Sequence, residues 1–437
     1  MPKITFMGAG STIFAKNVLG DCMCAEPLHG ATIALYDIDK SRLEDSARML
    51  EFLNETLRAR MRIERYLGPR QRKAALRDAD WVVNAVQIGG YKPATVTDFE
   101  VPKKYGLRQT IGDTLGIGGI FRALRTIPVL LQFAREMECV CPDAWFLNYA
   151  NPVAMLVMGL TRGSNIRTVG LCHSVEGAAP RLLKYAGIKA RNLQYKVAGV
   201  NHQSWVLEVS DRGRDLYPRI KRALRRAEQN GTLPERDLVR LELLKRFGYF
   251  VTESSFHSAE YYPWFIKARY PRLLKQYNIG LDEYPKRCVN QIKRWAQMRK
   301  DLVKTGISHK RSHEYASHMM EAMLTDVPFK FGGNVPNTDL VTNLPRRAIV
   351  EVHCIADRSG ISPCYVGDLP EPCAALNRLS VNVQILTVEA ALTRKKDYLY
   401  QAALLDPHTG GELSVDDTVR LCDDLLKAHG TLIPKMR

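Results

Sequence analysis

A chain of 437 residues, 46% apolar and 25% charged, buries a large core without metal or disulfide staples and has room for two domains. No run of about 18 uninterrupted apolar residues and no secretory leader pattern are read, so a cytoplasmic location is expected and a membrane partner is not. The net charge of +17 clusters at residues 58–73 and 212–246 without any nucleic-acid-binding module, so it reads as solvated helix faces rather than a nucleic-acid surface. The chain then opens with a buried strand at residues 3–7, a glycine-containing turn, and a helix from about Ile13. Residues 32–36 form a second strand, and an amphipathic helix follows over 41–60. Further strands are expected at 81–86, 145–148 and 168–172. This alternation predicts an α/β fold, a Rossmann-like doubly wound parallel sheet, in an NAD-binding domain spanning residues 1–195.

The character changes after that point. Residues 195–200 and 205–209 look like adjacent strands, and 218–247 like basic helices. Residues 332–337 read as irregular, and 380–393 as a long apolar helix. The second half, residues 196–437, is therefore expected to be a fused, helix-rich α+β substrate domain.

Gly8-x-Gly10-Ser11 sits between the first strand and helix, where a dinucleotide phosphate loop belongs. The third fingerprint glycine is replaced by Ile13, so taken alone the motif is equally a tight β–α turn. Asp37, closing the second strand, accepts from a ribose 2′-hydroxyl and repels a 2′-phosphate, which favours NAD over NADP.

Four other clusters carry chemistry. Cys172 and His202, each expected at a strand end, could converge on a metal, although spacing alone favours a buried thiol and a structural histidine. Asn148 and Asn151 flank an Asn-Pro turn at the ligand-binding edge of the sheet. They suit sugar hydroxyls or simple turn chemistry. Asp113 lies in a glycine-dense loop, either as a substrate-facing carboxylate or as a helix cap. His173 opens a helix. Ten cysteines without a Cys-x-x-Cys pair fit reduced thiols.

Taken together and in order, Gly8-Ala9-Gly10-Ser11, Asp37, Asn148-x-x-Asn151-Pro152, Cys172-His173-Ser174-Val175 and Gly199-x-Asn201-His202 resemble glycoside hydrolase family 4. The segments at 251–255, 259–261, 263–265, 282–288 and 406–409 resemble its melibiose-hydrolysing α-galactosidase branch. The resemblance implies an NAD- and manganese-dependent redox elimination: hydride leaves sugar C3, a base takes the C2 proton, the aglycone departs, water adds and C3 is re-reduced. It implies Cys172 and His202 as metal ligands, Tyr261 as the C2 base with Tyr262 and Glu260 as alternatives, and Asp113 and His173 beside the substrate. Asn148 and Asn151 would then bind sugar hydroxyls. A homodimer or homotetramer is implied as well. An α-galacturonide or α-glucoside is the alternative substrate within the family. A plain 2-hydroxyacid dehydrogenase would leave the Cys172–His202 pair unused, and a basic NAD- or nucleic-acid-binding regulator would rest on net charge alone. Gly112, Ile117 and His313 depart from the pattern expected of the branch.

Overall fold

The computed structural model describes residues 1–305, 308–312 and 314–437, so His313 lies outside the described residues. The first half alternates β1 (Lys3–Met7), β2 (Thr32–Asp37), β3 (Arg62–Leu67), β4 (Trp81–Asn84), β5 (Trp145–Asn148) and β6 (Arg167–Leu171) with helices. All six strands run parallel in the order β3-β2-β1-β4-β5-β6. That is the order of a dinucleotide-binding sheet, whose ligands sit beyond the carboxyl ends of the strands. Its inner strands are mostly apolar on both faces because helices cover both; all four residues of β4 are buried.

The second half adds β7 (Leu193–Gly199), β8 (Trp205–Asp211), β9 (Arg214–Asp215), β10 (Phe250–Val251), β11 (Phe329–Pro336), β12 (Ile349–Asp357) and β13 (Gly360–Pro363). These extend the same sheet in antiparallel fashion, in the order β6-β11-β12-β7-β8-β10. One sheet therefore carries chemistry-bearing residues from both halves.

Two expectations are corrected. Residues 332–337 are not irregular: most of them belong to β11. A Cβ on Gly332 would lie 2.8 Å from Val175, and one on Gly333 2.7 Å from Cys354 Sγ. The glycines mark close packing of a strand, not a loop. The basic cluster at 58–73 is not a helix face either. It contains β3, an edge strand whose Arg65 reaches Glu44 at 3.3 Å and Glu51 at 2.7 Å on the helix Lys40–Leu57. Charge on an edge strand discourages pairing with another chain. The helix Gly116–Val140 is long and apolar enough to cross a membrane, but most of it is buried inside the protein.

Candidate active site

The turn after β1 is built by its glycines. Gly8 has φ +89°, and a Cβ there would meet the Ala85 backbone at 2.9 Å. The amides of Gly8 and Ala9 both donate to Tyr36 O at 3.0 Å. Gly10 N–H donates to Asp37 Oδ2 at 2.6 Å, and a Cβ on Gly10 would fall 2.8 Å from that oxygen. Ser11 precedes the helix Thr12–Met23, and its Oγ is buried without a hydrogen-bond partner. A bare glycine backbone, an orphaned hydroxyl and a helix N-terminus suit a pyrophosphate, and Asp37 beyond β2 suits the adjoining ribose. Ile13 sits inside the helix.

At the carboxyl ends of β5 and β6, and in the turn between β7 and β8, a second cluster forms. Donor atoms of Cys172, His202 and Glu253 lie within 4.8 Å of one another, and so do those of Asp113, His202 and His257. His202 is held at φ +64°, a conformation that costs a β-carbon-bearing residue energy and recurs at functional sites. Its Nδ1 lies 3.0 Å from Thr114 Oγ1 and 3.2 Å from Tyr261 Oη, while Nε2 faces Glu253 Oε2 at 3.8 Å. Burial lowers the His202 pKa to about 4, against the pull of Glu253, so the imidazole is neutral near pH 7.

His257 behaves oppositely. It stands 3.4 Å from Glu253 Oε1 and 3.7 Å from Asp113 Oδ1, and it packs edge-on to His202 at 4.7 Å. Burial opposes its charge, but Glu253 and Asp113 outweigh burial and raise its pKa to about 10. The same partnership holds the carboxyls of Asp113 and Glu253 well below the usual range despite burial. The two donor sets share His202, whose neutral ring keeps a lone pair for a metal. The Cys172 thiol is pushed up by burial and by the charges of Glu351 and Glu253, so a divalent cation is the counter-charge that makes its thiolate accessible.

Asn151 Nδ2 donates to Asp113 Oδ2 at 2.8 Å, and Thr114 Oγ1 to Oδ1 at 2.7 Å. Asp113 does not cap the helix Gly116–Val140, whose N-cap position is Leu115. Asn148 is fully buried: its Oδ1 accepts from Asn84 at 2.8 Å and its Nδ2 donates to Ala150 O at 3.0 Å. It shapes the turn beneath the site and leaves Asn151 to face the cluster. His173 turns aside, 2.6 Å from Glu314 Oε2, with its ring over Tyr149 at 5.9 Å.

Residues 3–188 match the family described as Family 4 glycosyl hydrolase, and residues 197–409 match the Family 4 glycosyl hydrolase C-terminal domain. The chain belongs to glycosyl hydrolase family 4. It is 56% identical over 438 residues to an alpha-galactosidase of Bacillus subtilis (strain 168), with 100% of each chain covered. It is 32% identical over 446 residues to an alpha-galactosidase of Rhizobium meliloti (strain 1021), covering 99% of this chain and 89% of the other. A solved 6-phospho-alpha-glucosidase from gut microorganisms, in complex with NAD and Mn2+, shares the fold at TM-score 0.83 and 20% identity, with 100% of both chains covered. Membership of family 4 sets aside the dehydrogenase and regulator readings. In this family 4 chain the two matched regions meet inside one sheet, where β6 of the first pairs with β11 of the second.

Two residues of the cluster were not singled out from sequence. Glu253 and His257 stand four apart across the start of the short helix Ser255–Glu260, with Tyr261 immediately after it. A polar stripe Glu253, His257, Glu260 at helical spacing is the signal that would have found them.

The alternatives to Tyr261 have other places. Tyr262 Oη is buried without a partner, and its ring stacks on Trp264 at 5.2 Å. Glu260 is fully occupied as a clasp for the Asp113 loop, accepting from the amides of Thr110 (2.8 Å), Ile111 (3.1 Å) and Gly112 (2.7 Å). Burial pushes its carboxyl up to about 7 against those amides. A carboxyl raised on folding binds its proton more tightly in the native state. Its contribution to stability is therefore full below the unfolded value of about 4.5 and is lost as pH rises through about 7. Glu260→Ala is expected to lose about 1–3 kcal/mol through the unpaired loop amides and to flatten this part of the pH–stability profile. Urea unfolding at pH 5 and pH 8 checks both; equal pH slopes in the two proteins would show that Glu260 does not carry the effect.

Proposed function

We propose that this chain hydrolyses α-galactosides such as melibiose by the redox elimination and addition of its family, using NAD+ and a divalent metal, Mn2+. The observation that carries the reading is the convergence of Cys172, His202 and Glu253 beside Tyr261, at the carboxyl edge of a dinucleotide-binding sheet. The galactoside is supported by the names of the relatives at 56% and 32% identity. When bound, the two cofactors supply hydride uptake at C3 and Lewis-acid polarisation of the sugar's C2 and C3 oxygens.

The chain's own residues have separate tasks. Gly8, Gly10 and Ser11 cradle the pyrophosphate, and Asp37 accepts from the ribose. Cys172, neutral His202 and Glu253 hold the metal. Tyr261 takes the C2 proton; its phenol is pushed well above its ordinary value by burial and by Asp113, Glu260 and Glu253, so it ionises only where cationic charge offsets them. Asp113, ionised and fixed by Asn151, Thr114 and His257, orients the water. Asn151 adds a donor toward the sugar, and His173 borders the cleft. The ten free cysteines fit a reducing compartment and support a cytoplasmic location. A homodimer or homotetramer remains part of the proposal through family resemblance.

One observation favours a second substrate. Arg122 is buried, within electrostatic reach of Asp113, and among the described residues its hydrogen bonds go to Tyr284 Oη at 3.3–3.4 Å. A guanidinium with donors to spare suits the carboxylate of an α-galacturonide.

The test is nitrophenol release from the α-galactoside and the α-galacturonide by protein stripped of cofactor, with Mn2+ and reductant, with and without NAD+. Galactoside turnover that needs NAD+ and accumulates no NADH is expected. Turnover indifferent to NAD+ sinks the redox mechanism, and preference for the galacturonide moves the substrate to the second reading.

A further inference from the structure

Two of the three proposed metal ligands, Cys172 and His202, are carried by strands that do not touch. Cys172 follows β6 and His202 follows β7, and β11 and β12 lie between them. A single rung crosses all four strands: Gly170 on β6 is paired with Asn334, Asn334 with Glu351, and Glu351 with Gly199 on β7. Cys172 stands two residues beyond one end of this rung, and His202 three residues beyond the other.

Glu351 is fully buried in the middle of the rung. No Lys or Arg pairs with it among the described residues; its partners are neutral donors. Oε2 accepts from Ser204 Oγ at 2.6 Å. Oε1 accepts from Asn201 Nδ2 at 3.2 Å and from Asn334 Nδ2 at 3.0 Å. Asn201 and Ser204 bracket His202, whose left-handed backbone requires outside support. Asn334 Nδ2 also reaches Gly170 O at 3.3 Å, which ties the same carboxylate to the strand that presents Cys172. An apolar side chain of similar size would avoid burying a carboxylate but would take away the bond that Asn201 Nδ2 makes and leave Ser204 Oγ and Asn334 Nδ2 on their longer bonds, to Val200 O at 3.1 Å and Gly170 O at 3.3 Å.

We infer that Glu351 is a positioning residue for the metal pair: it clamps the strained His202 turn through Asn201 and Ser204 and, through Asn334, sets the distance from His202 to Cys172. This rests on the reading that Cys172 and His202 hold the metal. It assigns to β12, in the antiparallel half, control over a site whose other ligand strand is in the parallel half.

The test is Mn2+ binding to the full chain saturated with NAD+, read from the electron paramagnetic resonance signal of free Mn2+. NAD+ affinity and thermal unfolding are measured on the same samples. Glu351→Ala is expected to weaken Mn2+ about 10–100-fold with NAD+ affinity unchanged, as for other residues that orient metal ligands. Glu351→Gln, whose carbonyl oxygen still accepts from Asn201 and Asn334, is expected to restore most of the affinity. Ser204→Ala, which removes the 2.6 Å bond to Glu351 together with the 3.1 Å bond to Val200 O, shifts Mn2+ affinity in the same direction and serves if Glu351→Ala does not fold. Wild-type Mn2+ affinity in Glu351→Ala, or in Ser204→Ala where that is the folded variant, overturns the inference if Cys172→Ser binds the ion more weakly than wild type. Wild-type Mn2+ affinity in Cys172→Ser overturns the metal assignment itself, which is a different failure.

Discussion

Cys172→Ser is expected to lower kcat on an α-galactoside by about 10³-fold, equivalent to roughly 4 kcal/mol of transition-state stabilisation. The reason is charge. A thiol bound to a divalent ion becomes a thiolate, whereas a serine hydroxyl in the same buried place stays neutral and donates less density. His202 and Glu253 remain, so weak binding at high Mn2+ is expected and activity should recover in part as the ion is raised. NAD+ binding should not change, because Gly8, Gly10, Ser11 and Asp37 sit at the ends of β1 and β2, away from the substitution. Steady-state kinetics across a Mn2+ series, with NAD+ fluorescence titration as control, make the measurement. Near-wild-type turnover at low Mn2+ would remove Cys172 from the metal site. By the same chemistry, oxidation of this thiol is expected to abolish turnover and a reductant to be required.

The second large effect is expected at Tyr261. Tyr261→Phe should reduce kcat by about 10²–10⁴-fold, the usual range for a lost general base, with KM little altered because the ring stays in place. In D2O the wild-type enzyme should place deuterium at C2 of the released galactose, and the variant should not. Tyr262→Phe provides the contrast: its hydroxyl has no partner and its ring stacks on Trp264, so activity should be close to wild type. Unimpaired C2 exchange in Tyr261→Phe would place the base elsewhere.

These expectations rest on residues that differ in how far the sequence alone reveals them. Lys3–Met7, the Gly8-x-Gly10 turn and Asp37 are contiguous or nearly so, and each is recognisable because its chemistry is local: a buried strand, a turn that excludes Cβ atoms, a carboxylate closing the next strand. The pair Cys172 and His202 was legible as a possibility because each stands at a predicted strand end. Glu253 and His257 were less so, since the charge state that separates them depends on which carboxylates surround each ring. Asn148 looked like a sugar ligand from its motif. Its burial against Asn84 follows from the pairing of β4 with β5.

The family resemblance implied the thiol, imidazole and phenol, whereas local pattern specified the parallel strand–helix half and the dinucleotide turn. Those features arise from periodicity and from short-range backbone constraint. Only the tertiary structure decided that β11, with its paired glycines, is a strand. It also decided that the second half continues the first half's sheet, that Glu253 and Asp113 raise the pKa of His257 while burial lowers that of His202, and that Glu351 stands in the rung between the strands of Cys172 and His202. Each of these depends on contacts between residues more than a hundred positions apart or on the net field of several buried charges, and neither is written in local pattern.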